Sequence, residues 1–242
     1  MIPSNIIVNA DDFGMNANRN IAITKCFQKK IINSSSIMPN MPAFKEAVLL
    51  AEAYNFKDKL GFHASITEGK ALTDLSKTPL VDENGFFISK KVYKPTVFFS
   101  RFVRNKIKNE IEAQLDVLYQ FKIKPTHINT HYDIHDLPWL LPIFFNVAKA
   151  HNIKLRICIT WNNGINPLKP VYRKVVNQIL KYHNLDFSNY FVTLEVYNKT
   201  KKLIHNKITE IVVHPDLNED GTIIDSMEHI DLEKYLLKLT KD

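Results

Sequence analysis

Two cysteines in 242 residues are too few for a disulfide framework, and Cys26 and Cys158 stand far apart in apolar surroundings, so two reduced, packed thiols are expected. No apolar stretch approaches the roughly 18 residues of a membrane span. The start of the chain lacks the basic residues, apolar run and small-residue cleavage site of a secretory leader. These absences predict a cytoplasmic protein with no membrane partner. No internal repeat, low-complexity tract or Pro/Gly-rich linker divides the sequence, which predicts one domain over 1–242 with a substantial core, given 45% hydrophobic residues. A clustered basic face is also missing despite a formal charge of +7 and a pI near 9.2. The densest run, Lys90, Lys91, Lys94, Arg101, Arg104, Lys106 and Lys108 followed by Glu110 and Glu112, is the wet side of a helix and its lead-in, so nucleic acid is not the expected partner.

What the chain does have is alternation. Ile6-Ile7-Val8 opens a buried strand. A helix follows from Asn16 or Asn18 as cap to Lys30, then a strand at Ser36–Met38, a helix at Phe44–Tyr54 and a strand at Leu60–Ile66. The rhythm resumes with a helix over Pro95–Phe121, a strand at Thr126–Thr130, a helix at Leu140–Ala150 and a strand at Leu155–Ile159. A helix at Pro170–Tyr182, strands at Phe191–Val196 and Glu210–Val213 and a terminal helix at Ile230–Leu239 complete it. Such alternation over this length points to an α/β fold with a parallel sheet, open or closed into a barrel. Residues 67–95 interrupt it with little periodicity, which predicts a lid or rim that contributes little to the core.

Ligand sites in parallel α/β folds lie at the carboxyl ends of the strands. Asp11 and Asp12 follow Val8, His63 follows Leu60, His131 follows Ile128, Arg156 lies on the next strand, and His214 follows Val213. Adjacent buried carboxylates are costly unless a cation or a shared proton neutralises them. Strand parity puts His127, Asn129 and His131 on one face and pairs Gly61 with His63, the glycine leaving room beside the site. Asp11 and Asp12 cannot both point inward on a regular strand. A turn at Phe13-Gly14 is expected to relax that, with the two acids doing different jobs.

Four motifs carry a resemblance: Asn-Ala-Asp-Asp-Phe-Gly at 9–14, Gly-Phe-His with Thr-Glu-Gly at 61–69, Thr-His-Ile-Asn-Thr-His with His135 at 126–135, and Val-His-Pro at 213–215. Together they resemble the YdjC-like carbohydrate deacetylases over nearly the whole chain. The resemblance implies a distorted (β/α) barrel of the glycoside hydrolase/deacetylase type and hydrolysis of acetamido groups on small N-acetylated sugars or oligosaccharides. It also implies one divalent metal, Mg²⁺ by family habit, held by Asp12, His63 and His131, with Asp11 as base. The chain departs from the family pattern at Asn129, where Asp is usual, at Asp133, where His is common, and at Asp216, where Gly is usual.

The chemistry can be built beside the resemblance. Amide hydrolysis needs a nucleophilic water, a polarised carbonyl and a proton for the leaving amine; three protein ligands on a cation leave open positions for the first two. Asp11 could take the proton of the metal-bound water and His214 could return it to the amine. Arg156 either holds Asp11 ionised near the substrate or is a structural ion pair. Two His and one Asp suit Zn²⁺ or another transition metal by ligand softness. His135 is a substrate contact or a helix-start residue, Glu68 lines the pocket or is an exposed loop acid, and His127 is a core histidine or supports the site from behind. Tyr93, Phe98, Phe99, Tyr132, Trp139 and Trp161 are candidates to stack on sugar faces or to pack a homodimer interface, with core packing the alternative for most of them. A metal-dependent phosphoesterase would use the same cation with a second metal or an Arg/Lys clamp. A sugar-binding protein with lapsed catalysis would keep the pocket and lose the base or acid.

Overall fold

The computed structural model describes residues 2–160, 168–200 and 206–239; Trp161 lies outside the described residues. Seven parallel strands form one curled sheet: β1 (Ile6–Phe13), β2 (Ser34–Ile37), β3 (Leu60–Ala64), β4 (His127–Thr130), β5 (Lys154–Leu155), β6 (Tyr190–Thr193) and β7 (Thr209–Val213). They run in the order β5-β4-β3-β2-β1-β7-β6. Beyond the strands proper, the Leu155 amide donates to Leu185 O (2.7 Å) and the Phe187 amide to Leu155 O (3.2 Å), drawing the edges together. The result is the half-open, distorted barrel that the alternation and the resemblance predicted.

Helices cover the outer face. Asn16 caps α1 (Ala17–Gln28), its side chain accepting from the Arg19 amide at 2.9 Å. The outer face also carries α2 (Phe44–Ala53) and α4 (Arg101–Gln120), and the short α3 (Ser89–Val92) lies between them in sequence. The helix expected from Pro95 is split: Pro95–Phe99 is a 3-10 turn, and Ser100 then caps α4. Its buried stripe, Val103, Ile107, Ile111, Leu115 and Leu118, follows helical spacing. Next come α5 (Leu141–His151), α6 (Leu168–Tyr182) and α7 (Leu194–Thr200); the last begins inside the segment expected as a strand to Val196. The strand expected to Ile159 ends at Leu155, because the chain leaves β4 once the Arg156 amide has bonded to Ile128 O. An antiparallel ribbon, β8 (Pro215–Leu217), β9 (Ile223–Asp225) and β10 (Ile230–Asp231), was not foreseen; it precedes α8 (Leu232–Leu239).

The excursion over 67–95 corrects one expectation. Leu75, Leu80 and Val92 are buried in the main core, and Thr67 and Thr78 are buried with them. The carboxylate of Glu110, fully buried on α4, accepts the Leu72 and Thr73 amides at 3.0 and 2.8 Å and the Thr73 hydroxyl at 2.7 Å. A buried carboxylate that takes three donors from the segment anchors it as scaffold. Periodicity could not show this, because the buried residues are spaced by turns rather than by a helix or strand repeat. Among the described residues no helix is long and apolar enough to cross a membrane. Cys26 and Cys158 are free and buried, as expected.

Candidate metal-centred active site

The apolar residues of the strands face the helices, so the barrel interior is left to polar ones. Asn9, Ser34 and Ser36 share it with Asn129, Arg156 and Glu210, all buried. Ser34 donates to Asn9 Oδ1 (2.6 Å), and Asn9 Nδ2 donates to Asp11 Oδ1 (2.7 Å). Asp11 points inward on the regular part of β1. The adjacent Asp12 reaches the same site because its backbone is left-handed, φ 69°, where the β1–β2 register shifts between Ala10 and Phe13. The relaxation expected at Phe13-Gly14 thus falls one residue earlier, on Asp12 itself.

Asp12, His63 and His131 converge, with one donor atom from each lying within 4.8 Å of the others. Asp12 Oδ1 is 3.1 Å from His63 Nε2 and 2.9 Å from His131 Nδ1. The hydrogen bonding around His63 fixes what these atoms are. Asn129 Nδ2 donates to Asp11 Oδ1 (2.9 Å) and Ser36 Oγ (3.0 Å), so its Oδ1, 2.8 Å from His63 Nδ1, is the acceptor and Nδ1 carries the hydrogen. In the neutral ring, Nε2 then directs a lone pair at a carboxylate oxygen. Both Asp12 Oδ1 and His63 Nε2 are buried with no hydrogen-bond partner. Two such acceptors face to face fit a cation between them, and the donor set fits a divalent one.

In the cation-free protein a protonated His131 supplies the positive charge instead. Burial alone would raise the pKa of Asp12, but His131 and His63 beside it hold it well below the usual carboxylate range. Burial opposes a charged His131, yet Asp12 and Glu68 on either side outweigh it and raise its pKa to about 9. Glu68 Oε1 accepts from the Tyr132 hydroxyl at 2.7 Å, and Oε2 lies 3.6 Å from His131 Nε2.

Asp11 is held apart from this cluster. Arg156 donates to both its oxygens, Nη1 to Oδ2 at 2.7 Å and Nη2 to Oδ1 at 2.8 Å. Burial pushes Asp11 up, and Arg156 overrides it, leaving the carboxyl far below its ordinary range. Oδ1 also accepts from Asn9, Ser36 and Asn129, whereas Oδ2 has the single arginine contact. Behind Arg156 sits Glu210, whose Oε1 accepts from Nε at 2.9 Å; burial lifts this carboxyl to about 7 against the pull of Arg156, and its Oε2 has no partner.

A cavity of about 650 Å³ opens over these groups, lined among others by Asp11, Asp12, Arg19, His63, Glu68, Tyr93, His131, Tyr132 and His214. Arg156 and His135 do not line it. Arg156 is fully buried and tied to Asp11 and Glu210, so it holds Asp11 from behind, as one of its two sequence readings has it, and is out of reach of a substrate in the cavity. His135 is also buried, its Nδ1 against Thr130 Oγ1 at 2.8 Å, and burial lowers its pKa to about 4. It locks the turn after β4, where Tyr132 and Asp133 both have positive φ. His127 is a core histidine stacked on Phe187 at 3.9 Å, neutral because burial lowers its pKa to about 3. The room left by Gly61 is for this ring: a Cβ there would stand 2.2 Å from His127 Cε1. Of the aromatic candidates, Tyr93 and Tyr132 reach the pocket. Phe98 is core, Phe99 is exposed and Trp139 donates to Val92 O at 2.9 Å. The sequence reading missed Arg19 and Glu210. The available signals were a cation in the first turn of α1 and an acid inside an apolar strand, with the parity of His214.

The chain matches the sequence pattern of the family described as YdjC-like protein over residues 5–238. A carbohydrate deacetylase of Geobacillus stearothermophilus is 34% identical over 155 residues, 64% of this chain and 60% of that protein. One of Clostridium beijerinckii is 35% identical over 155 residues, 62% and 59% of the two chains. The aligned stretch thus spans about three fifths of these relatives. A carbohydrate deacetylase of Halalkalibacterium halodurans aligns over 210 residues at 27% identity, 87% of this chain and 84% of that protein. Among solved structures, an Enterococcus faecalis protein whose name assigns it to cellobiose-phosphate cleavage superposes with a TM-score of 0.72. It covers 98% of this chain and 92% of its own at 20% identity, a likeness of fold.

Proposed function

The chain belongs to the family of YdjC-like proteins, and from that premise we propose that it is a metal-dependent carbohydrate deacetylase, removing acetyl groups from small N-acetylated sugars. The observation that carries the proposal is the division of labour between adjacent acids. Asp12 converges with His63 and His131 on a cation position, while Asp11 is kept separate and ionised by Arg156. A divalent cation bound there would polarise the acetamide carbonyl and acidify a water. Asp11 would take the proton of the attacking water at Oδ2, the oxygen with the fewest donors. Its depressed pKa keeps it ready as a base at any working pH but makes it a weak one, so the acidified water is a requirement. His214, at the end of β7 and on the pocket wall, gives a proton to the departing amine nitrogen. Its backbone is fixed by donation to Asp225 Oδ2 at 2.8 Å. Glu68 and Tyr132 with Tyr93 form the rim against which a sugar ring would sit. The three-residue donor set favours Zn²⁺ or another transition metal over Mg²⁺ on ligand softness.

The phosphoesterase alternative loses support from the pocket. Among the described residues Arg19 is the one Lys or Arg on its wall, and its guanidinium is occupied by carboxylates. A lapsed sugar-binding protein would have no reason to keep Asp11 clamped and His214 in place. Acetate release from a panel of N-acetylated mono- and disaccharides, with Zn²⁺, Mn²⁺, Co²⁺ and Mg²⁺ in turn, tests the proposal. Acetate from at least one sugar, abolished by chelation, is expected. No acetate with any metal, or phosphate release from sugar phosphates instead, would overturn it.

A further inference from the structure

We infer that Arg19 is a positioning residue for Asp12, holding one carboxylate oxygen so that a single oxygen is presented to the cation. The inference rests on the reading that Asp12, His63 and His131 hold a cation. The two oxygens of Asp12 face different partners. Oδ1 stands among His63 Nε2 and His131 Nδ1 with no hydrogen-bond partner, whereas Oδ2 accepts from Arg19 Nη1. Arg19 is itself fixed from several sides. Its backbone amide belongs to the Asn16 cap, its Nη2 donates to Ser226 Oγ at 3.0 Å, and its Nε lies 3.5 Å from Asp216 Oδ2. Asp216 lies on β8 and Ser226 directly follows β9, so the antiparallel ribbon that continues from His214 reaches back to the ligand strand through this one guanidinium.

Two consequences follow from the planar fork and its charge. With Oδ2 occupied, Asp12 is a one-oxygen ligand, which leaves more of the cation's coordination open for water and substrate. A fixed positive charge beside the site also offsets part of the ligand set's negative charge, so a cation is held less tightly and polarises its other ligands more strongly. Removing Arg19 frees Oδ2 and strips the cation-free protein of its compensation for a buried carboxylate. Both effects drive cation binding up.

Titration of the chelator-stripped full chain with Mn²⁺ and Co²⁺ tests this. Arg19→Gln is expected to retain one cation per chain, to bind it at least tenfold more tightly than wild type, and to change the visible absorption of bound Co²⁺ as the carboxylate donor count changes. Arg19→Lys, which keeps the charge without the fork, is expected to restore near wild-type affinity while keeping the altered Co²⁺ spectrum. An Arg19→Gln affinity within twofold of wild type with an unaltered spectrum overturns the inference, and so does weaker binding, which would make Arg19 part of what builds the site. Should Arg19→Gln not fold, Asp216→Asn with Ser226→Ala loosens the guanidinium from its far side. It is expected to tighten binding at least threefold, and an unchanged constant overturns the inference. Failure of the wild-type chain to bind either cation overturns the ligand set itself, a separate result.

Discussion

Gly61→Ala should destabilise the protein by about 2–3 kcal/mol, the upper part of the range for overpacking a well-packed interior, although alanine normally improves a strand position over glycine by roughly 0.5–1 kcal/mol. The reason is the imidazole of His127. A Cβ at residue 61 would lie 2.2 Å from Cε1, 2.5 Å from Nδ1 and 2.6 Å from Nε2, whereas carbon atoms settle at about 3.5–4.0 Å. The ring has nowhere to go: it is fully buried, stacked on Phe187 at 3.9 Å, with Nδ1 2.9 Å from Thr126 Oγ1. His127→Ala alone should cost about 2–4 kcal/mol through the cavity it leaves. The double variant places the new methyl group in that cavity and should be no less stable than His127→Ala, so the cycle should show an interaction energy close to the whole cost of Gly61→Ala. Urea unfolding followed by circular dichroism, with m values compared, measures all four corners. A Gly61→Ala variant within about 0.5 kcal/mol of wild type, or strict additivity in the cycle, would refute the packing argument. Because Gly61 lies two residues before His63 on β3, the single variant should also weaken cation binding while the double variant recovers part of it.

Asp12→Ala, His63→Ala and His131→Ala should each reduce the bound cation below one per chain in equilibrium dialysis; unchanged stoichiometry in all three would mean that the ligands are elsewhere. Asp11→Asn should keep the cation and lose about 10²–10⁴-fold in kcat, the usual worth of general-base catalysis, and retained acetate release would move the base to another group. Acid should destabilise the fold through its neutral buried histidines. His127 at about 3 and His135 at about 4 lie below the roughly 6.5 of an unfolded histidine, so below that value the unfolded chain binds more protons and stability falls, while above it nothing is lost. Between pH 7 and 5 each should cost about 2 kcal/mol, and a His127→Asn variant whose urea midpoint falls as steeply as wild type over that window would contradict this. Glu110→Ala should destabilise by about 2–3 kcal/mol by stranding the Leu72 and Thr73 donors; a loss below about 0.5 kcal/mol would return the 67–95 segment to the status of a loosely held rim.

What the sequence determined was the part governed by local repetition. Short apolar runs and the helical stripe on α4 set the order of strands and helices, and the placement of Asp11, Asp12, His63, His131 and His214 at strand ends followed from that order alone. That these groups share one rim was legible for the same reason, since a parallel sheet delivers every strand end there; the choice of Asp12, His63 and His131 among them as ligands came from the family resemblance. The tertiary structure decided what depends on residues distant in sequence. Arg156 was visible as a charge near a strand end, but that it is sealed between Asp11 and Glu210, out of reach of the pocket, depends on β5, β1 and β7 curling around one interior. His135, open by sequence between a substrate contact and a helix-start residue, is a locking residue by burial, and burial decides for His127 the core reading that the sequence had left open. The anchoring of 67–95 by Glu110, and the approach of Asp216 and Ser226 to Arg19, join segments with no common period, and periodicity records only what a chain does with its near neighbours.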